Sequence, residues 1–275
     1  MKRFYVAKVY WGIVRMFLLQ TFLRRGKTVR TEEQVRKEYK EAWGESSEDI
    51  LFGRKLRVQR DGNRLIIGRA IDSRKFFISH VESIVCSLQP GNILELGSGI
   101  GINILTLAVL NPLIKSLKGI ELTDQGFAQA KELLKNPPIR ALMYLTELDE
   151  KTIRERLTGR DIEFVQGSIL KLPFADKSFD FVYSMWVLEQ IPKEYPQAFR
   201  EARRVLRQEG HAFFMEEFIE AQANIFQRIH LRNVDYFHAS LWEVEKYGLK
   251  VLRFEPLPMD KVKLTYGSLL CENKK

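Results

Sequence analysis

The sequence predicts an α/β protein built on a mostly parallel sheet with helices on both faces. Three observations carry that prediction. Ile93-Leu-Glu-Leu96 reads as a buried strand running straight into glycines at 97, 99 and 101, and a helix-compatible run, Ile102 to Leu110, follows. Lys118 to Thr123 reads as a second strand with Glu121 at its C-terminal end, twenty residues beyond Gly101, about the distance a βαβ unit requires. Strands and helices then alternate to Met215, the pattern of a parallel sheet covered on both sides.

The N-terminus stands apart from this pattern. Residues 1 to 30 contain eight basic residues and no acid, whereas the rest of the chain holds 36 basic and 35 acidic residues. The net charge of +9 is therefore a local arm rather than a basic domain. A protein that reads RNA more often spreads basic patches over its folded surface. Phe4 to Leu23 is apolar and aromatic, with Lys8 and Arg15 seven residues apart on one helical face. Two cations argue against a membrane span. Arg15 within the apolar run, with no small-residue cleavage site after it, argues against a signal peptide. A helix packed on the folded domain and an interfacial anchor with basic ends on anionic lipid both fit.

The remaining elements follow in order. Thr31-Glu-Glu-Gln34 reads as a capping box opening a helix to about Trp43. Leu56 to Ile67 alternates around Asp61-Gly62 and predicts a hairpin. Arg74 to Leu88 reads as a helix leading into the first sheet strand, with Cys86 expected in the core. Asn136 to Arg160 is longer than a minimal crossover and includes a helical stretch, Asp149 to Leu157; Asn136-Pro-Pro-Ile139 reads as a helix stop. Phe164-Val165 and Phe179 to Ser184 are the next two strands. Phe199 to Met215 reads as helix, glycine turn, strand, and Lys250 to Glu255 and Val262 to Cys271 are the last two strands.

At 275 residues and 45% apolar composition the chain suits one α/β domain with an added segment. Cys86 and Cys271 are its two cysteines, which argues for a reducing compartment and against a disulfide framework. His80, His211, His230 and His238 are scattered, and no zinc-ligand spacing is present. The glycine spacing bears on the ligand. A dinucleotide fingerprint needs its third glycine at position 102, which is Ile102.

The pattern Glu95-x-Gly97-x-Gly99-x-Gly101 resembles the glycine loop of class I S-adenosylmethionine (SAM) dependent methyltransferases. Two further stretches extend the resemblance over residues 90 to 217. Leu172-Pro-Phe174, Ser178-Phe-Asp180 and Val187-Leu-Glu-Gln-Ile191 are similar to that family's LPF, SFD and VLEHI elements, and Arg204-Val-Leu-Arg-Gln-Glu-Gly210 resembles its RVLKPGG hairpin. The resemblance implies a seven-stranded, mostly parallel Rossmann-like sheet ending in an antiparallel C-terminal hairpin. It also implies a SAM site. Glu95, Gly97, Ser98, Gly99 and Gly101 would hold the amino-acid part, Glu121 the ribose hydroxyls with Leu122 beside it, and Gly167, Ser168 and Ile169 the adenine. Ser184 and Met185 would lie beside the sulfonium, and Tyr39 near the cofactor.

Two residues depart from the family's pattern. Ser168 stands where most relatives carry Asp, a neutral and weaker partner for the adenine amine. Gln190 replaces a frequent His, so an imidazole base is excluded there. Methyl transfer from a sulfonium needs alignment more than a base, so the resemblance names no catalytic residue; Glu217 and His230 are the candidates for a base. The elements able to roof the site are the helix around Tyr39 and Trp43, Met185-Trp186, Glu216-Glu217 and residues 224 to 236. No Pro-Cys nucleophile is present, against cytosine C5 methylation.

The expected layout is a basic arm over residues 1–30, a helical and hairpin extension capping the site over 31–80, and a methyltransferase domain over 81–275. The expected function is methyl transfer from SAM to a small molecule, with lipid-linked, isoprenoid and saccharide acceptors in view. The expected location is the cytoplasm, with the arm as a route to the inner membrane surface. Two alternatives stay open: an RNA or protein methyltransferase using the arm as a polyanion clamp, and a SAM-binding scaffold without turnover.

Overall fold

In the computed structural model, residues 31–42, 47–53, 57–61, 64–191, 194–218, 244–256 and 265–273 are described, together with Trp11. The basic arm other than Trp11, Trp43, the segment 224–236 with His230, and His238 lie outside them, as does the side chain of Glu217. Helix α1 (Glu32–Ala42) opens on the expected capping box. The Gln34 N–H donates to Thr31 Oγ1 at 3.4 Å, and the Thr31 N–H donates back to Gln34 Oε1 at 3.2 Å. A short helix α2 (Ser47–Phe52) and the antiparallel pair β1 (Arg57–Asp61) and β2 (Arg64–Gly68) follow. Asp61 pairs with Arg64 at the end of the ladder.

Helix α3 (Ala70–Leu88) begins four residues earlier than the hydrophobic pattern suggests. Asp72 is the reason: its carboxylate accepts the Arg69 backbone N–H at 2.6 Å and so closes the first turn. The helix runs unbroken through residue 80, the expected boundary of the N-terminal extension. Cys86 corrects the sequence reading. It lies on α3 but is exposed, its Sγ donating to Glu82 Oε1 at 2.9 Å, because the buried face is set by Val81, Ile84 and Val85.

The main sheet is formed by β3 (Asn92–Leu96), β4 (Ser116–Glu121), β5 (Asp161–Gln166), β6 (Phe179–Met185), β7 (Leu206–Phe218), β8 (Leu249–Pro256) and β9 (Thr265–Asn273). Its order is β5-β4-β3-β6-β7-β9-β8. The first five strands are parallel, and β9 runs antiparallel to both β7 and β8. This is the seven-stranded sheet with the C-terminal antiparallel hairpin that the family resemblance implied. The strand order reverses at β3/β6, the place where open α/β sheets generally bind ligands beyond the carboxyl ends of their strands.

Alternation along the strands divides the core. Leu94, Leu96, Val182 and Phe214 face helix α8 (Tyr195–Val205), which buries Ala198, Phe199, Ala202 and Val205 against them. Ile93, Phe181, Tyr183 and Phe213 face α3 and helix α4 (Ile102–Leu110) on the other side. Helix α5 (Asp124–Lys135) follows β4, its first turn capped by Thr123 Oγ1, which accepts the Gly126 N–H.

The long crossover contains two helices, α6 (Ile139–Thr146) and α7 (Glu150–Leu157), of which only the second was expected. Pro138 both stops the preceding path and opens α6 as its cap residue. Leu142, Leu145 and Ile153 pack on Ile102, Leu105 and Val109, so α4 is buried against the sheet on one side and against this added layer on the other. That explains why α4 is apolar all round. Strand β7 also differs from the expected turn-then-strand. It runs directly out of α8, and Glu209, at φ +64°, and Gly210 form a bulge between the pairs Phe179–Leu206 and Phe181–His211.

Candidate functional site

The expected site residues collect at the carboxyl ends of β3, β4, β5 and β6. Gly97, Gly99 and Gly101 all have left-handed φ, at +67°, +55° and +80°, a region where a Cβ is strained. Space excludes a side chain as well. A Cβ at Gly97 would lie 2.6 Å from Val187 Cγ2, and one at Gly101 would lie 2.4 Å from Phe164 Cζ. The loop therefore presses closely on the turn after β6 and on β5.

Glu121, 6% exposed at the end of β4, ties that loop down. Its Oε2 accepts the Gly99 N–H at 2.9 Å, and its Oε1 accepts both the N–H and the hydroxyl of Thr123, at 2.9 and 2.6 Å. Sequence reading singled out Glu121 as a ligand group but missed Thr123, whose place before Asp124 at a helix start was the available signal. Leu122 and Ile169 are half-buried beside it, packed with Tyr39 of α1 on one core cluster. Gly167 lies against Ile120 and donates its N–H to the Glu121 carbonyl at 2.9 Å.

Glu95 sits on the opposite face of the sheet from Leu94 and Leu96, 1% exposed beneath α3 and α4. Asn103 Nδ2 donates to its Oε1 at 2.6 Å, and Arg74 Nη1 donates to Asn103 Oδ1 at 2.7 Å. Burial pushes the Glu95 carboxyl up to about 8, against the Asn103 hydrogen bond, the Arg74 charge and the neighbouring Tyr183 hydroxyl; the charge of Glu121 adds to the rise. Burial and then the charge of Glu95 push the Tyr183 hydroxyl well above its ordinary value. Glu95 Oε2, Ser98 Oγ and the Tyr183 hydroxyl are all buried and make no hydrogen bond of good geometry, although Glu95 and Tyr183 are near enough to perturb each other. Asn103, Arg74 and Tyr183 were not foreseen, because only the packing of α3 and α4 on β3 and β6 brings them to Glu95.

The turn after β6 is shaped from outside. Glu216 of β7, fully buried, accepts the Ser184 hydroxyl at 2.6 Å and the backbone N–H groups of Val187 and Leu188 at 3.2 and 3.1 Å. Glu216 had been expected to help roof the site; its carboxylate is instead committed to the underside of the turn. Met185 is buried, and Trp186 stands at φ +59°, unusual for so bulky a residue. Its N–H donates to the Met215 carbonyl at 3.0 Å, and its ring meets Phe77 edge-on at 4.6 Å between centroids. Strain of this kind concentrates at functional sites. Among the described residues no group of His, Cys, Asp and Glu could hold a metal ion.

Residues 94–214 match the family model of a methyltransferase domain. Over that stretch, 121 of its 275 residues, the chain is similar to a methyltransferase domain. Its strand order and its glycine loop agree with the match. Among curated proteins, 96 residues are 32% identical to a demethylmenaquinone methyltransferase of Bacillus velezensis, covering 34% of this chain and 40% of that enzyme. A second stretch of 63 residues is 40% identical to the demethylmenaquinone methyltransferase of Listeria monocytogenes, covering 22% of this chain and 26% of the relative. The matched stretches thus span less than half the length of either relative.

Among solved structures, the [4+2]-cyclase SpnF superposes with a TM-score of 0.62 at 16% identity, covering 90% of this chain and 97% of that one. The PH0226 protein of Pyrococcus horikoshii superposes with a TM-score of 0.52 at 18% identity, covering 76% and 92%. At such identities the likeness speaks for the fold alone. No helix among the described residues is long and apolar enough to cross a membrane.

Proposed function

We propose that this chain binds SAM over the ends of β3, β4, β5 and β6 and transfers a methyl group to a small molecule of the quinone or lipid-linked kind. One observation carries the reading: the left-handed glycine loop and the buried Glu121 stand side by side at the ends of adjacent parallel strands. The residues fit the cofactor. Glu121 accepts three hydrogen bonds from the protein and, as a carboxylate with about four acceptor sites, has capacity left for a ribose hydroxyl. Glu95 Oε2 and Ser98 Oγ are buried polar atoms for which a ligand's ammonium and carboxylate group, or the water that accompanies them, would be partners.

Bound there, SAM supplies a methyl group already activated by a positively charged sulfur. The chain's own residues align and enclose. Gly97, Ser98, Gly99 and Gly101 bring backbone close to the amino-acid end. Glu121 fixes the ribose, Leu122 and Ile169 flank the base with Gly167 and Ser168 at its edge, and Tyr39 closes over it. Ser184 and Met185 form the wall nearest the sulfur. Orientation of this kind is worth on the order of 7–11 kcal/mol at best, and no general base is assigned.

The relatives are demethylmenaquinone methyltransferases, which favours an isoprenoid quinone acceptor. The apolar sequence of residues 4–23, flanked by basic residues on both sides, favours a cytoplasmic protein that meets such an acceptor at the membrane surface. Calorimetry of the full chain with SAM, S-adenosylhomocysteine and a nicotinamide nucleotide tests the cofactor: the first two bind, and binding of the nucleotide alone overturns the reading. Transfer of labelled methyl from SAM to demethylmenaquinone, compared with saccharide acceptors, tests the acceptor. Deleting residues 1–26 tests the membrane contact, since unchanged liposome binding removes it. The eight bases of the arm support a second reading, a polyanion clamp for RNA, whose signature is a steep fall of filter binding with salt.

A further inference from the structure

Ser168 is where the cofactor's base should be read, and a lone hydroxyl is a weak reader. The geometry points to a carboxylate supplied from elsewhere: we infer that Glu32, on α1, is the residue that selects an amino-purine over an oxo-purine in the SAM site. The inference rests on the cofactor proposed above.

The argument begins with where a base must lie. The ends of β3, β4 and β5 are neighbours, with Leu96 paired to Ile120 and Glu121 paired to Gln166. A nucleoside with its amino-acid arm on the loop after β3 and its ribose on Glu121 has its base carried outward, one strand further, to the end of β5. Strands lie about 4.8 Å apart, so the far edge of the base reaches the residues after Gly167. Leu122 and Ile169, half-buried and packed on one core cluster, supply apolar surface there.

The polar edge is then decided by one hydrogen bond. Ser168 Oγ accepts the Leu170 N–H at 3.0 Å and donates its single proton to Glu32 Oε2 at 2.6 Å. With that proton committed, the hydroxyl holds a carboxylate at the base-reading position. A carboxylate is acceptor-only and charged, so it takes an exocyclic amine as donor and repels a carbonyl oxygen in the same place. Glu32 comes from 136 residues away in sequence, carried by a helix whose Val35 and Tyr39 pack on the same cluster as Leu122 and Ile169. The Glu32 N–H also reaches Glu194 Oε2 at 3.3 Å, which ties the start of α1 to the loop before α8.

The test compares S-adenosylhomocysteine with its deaminated counterpart, S-inosylhomocysteine, by calorimetry on the full chain. The wild type is expected to prefer the adenosyl ligand by at least about tenfold, as a site built around a donor rejects an analogue lacking it. Glu32→Gln, whose amide can accept or donate, is expected to bring the two affinities within about threefold of each other. The double variant Glu32→Ala with Ser168→Asp puts the carboxylate on β5's own loop and is expected to restore the preference. Thermal unfolding of each variant shows that it is folded. If Glu32→Gln keeps the full preference, or Glu32→Ala weakens both ligands equally, Glu32 is only a strap for α1 and the inference is overturned. If the wild type binds neither ligand, the cofactor reading itself fails, which is a separate result.

Discussion

Replacing Glu95 by Gln should reshape the pH dependence of stability. Glu95 is 1% exposed, and burial pushes its carboxyl from an ordinary 4.5 to about 8. The folded protein therefore keeps a proton that the unfolded chain has released. Stability from this group is whole below pH 4.5, is lost as pH rises toward about 8, and stays low above it. At about 1.4 kcal/mol per pH unit, the interval from 4.5 to about 8 corresponds to roughly 5 kcal/mol. Glutamine has the same shape, accepts from Asn103 Nδ2 as Glu95 does, and cannot ionise. Urea unfolding of both proteins from pH 5 to pH 9 isolates the effect, since every other group titrates in both. The Glu95→Gln protein should gain on the wild type steadily with pH and exceed it by several kcal/mol at pH 9. Parallel curves would show that Glu95 is ionised in the fold, and the account of its burial would be wrong.

Four further outcomes are expected. Gly97→Ala places a Cβ 2.6 Å from Val187 Cγ2 at φ +67° and should cost roughly 1–3 kcal/mol in thermal unfolding, with at least about tenfold weaker SAM binding. Glu121→Gln sets an amide NH2 against the Gly99 or Thr123 N–H and should weaken S-adenosylhomocysteine in calorimetry by about 10- to 100-fold, with a lowered unfolding temperature. Glu216→Ala strands the Ser184 hydroxyl and the Val187 and Leu188 N–H groups; a loss of roughly 2–4 kcal/mol and an altered near-ultraviolet signal from Trp186 should follow. Phe199→Ala removes a fully buried ring that meets Phe214 edge-on at 4.9 Å, and urea unfolding should show a cost of about 3–5 kcal/mol.

What could be read from the sequence was whatever local chemistry imposes. The buried run into Gly97, Gly99 and Gly101 has few solutions, and the strand-end acid twenty residues on implied the parallel pairing of β3 with β4. The capping box at Thr31 and Gln34 is likewise local and appears as expected. Helix α6 was missed because Pro137-Pro138 stops one helix and opens another, and a breaker signal does not say which it does. A place on a helix suggested a buried Cys86, but only the packing on the sheet decides which side of α3 faces in. The site shows the same division. Gly97 and Glu121 announced themselves, whereas the partners of Glu95, Ser184 and Ser168 lie 8 to 136 residues away and meet only after the layers close.

The turn beyond β6 owes its course to a carboxylate on the neighbouring strand. Its backbone amides at Val187 and Leu188 are gripped by Glu216 rather than by anything the turn itself contributes. Its shape is thus uncoupled from most of its own spelling. A directed-evolution library confined to Trp186 and Gln190 could vary side chains along this turn while the frame beneath stays put.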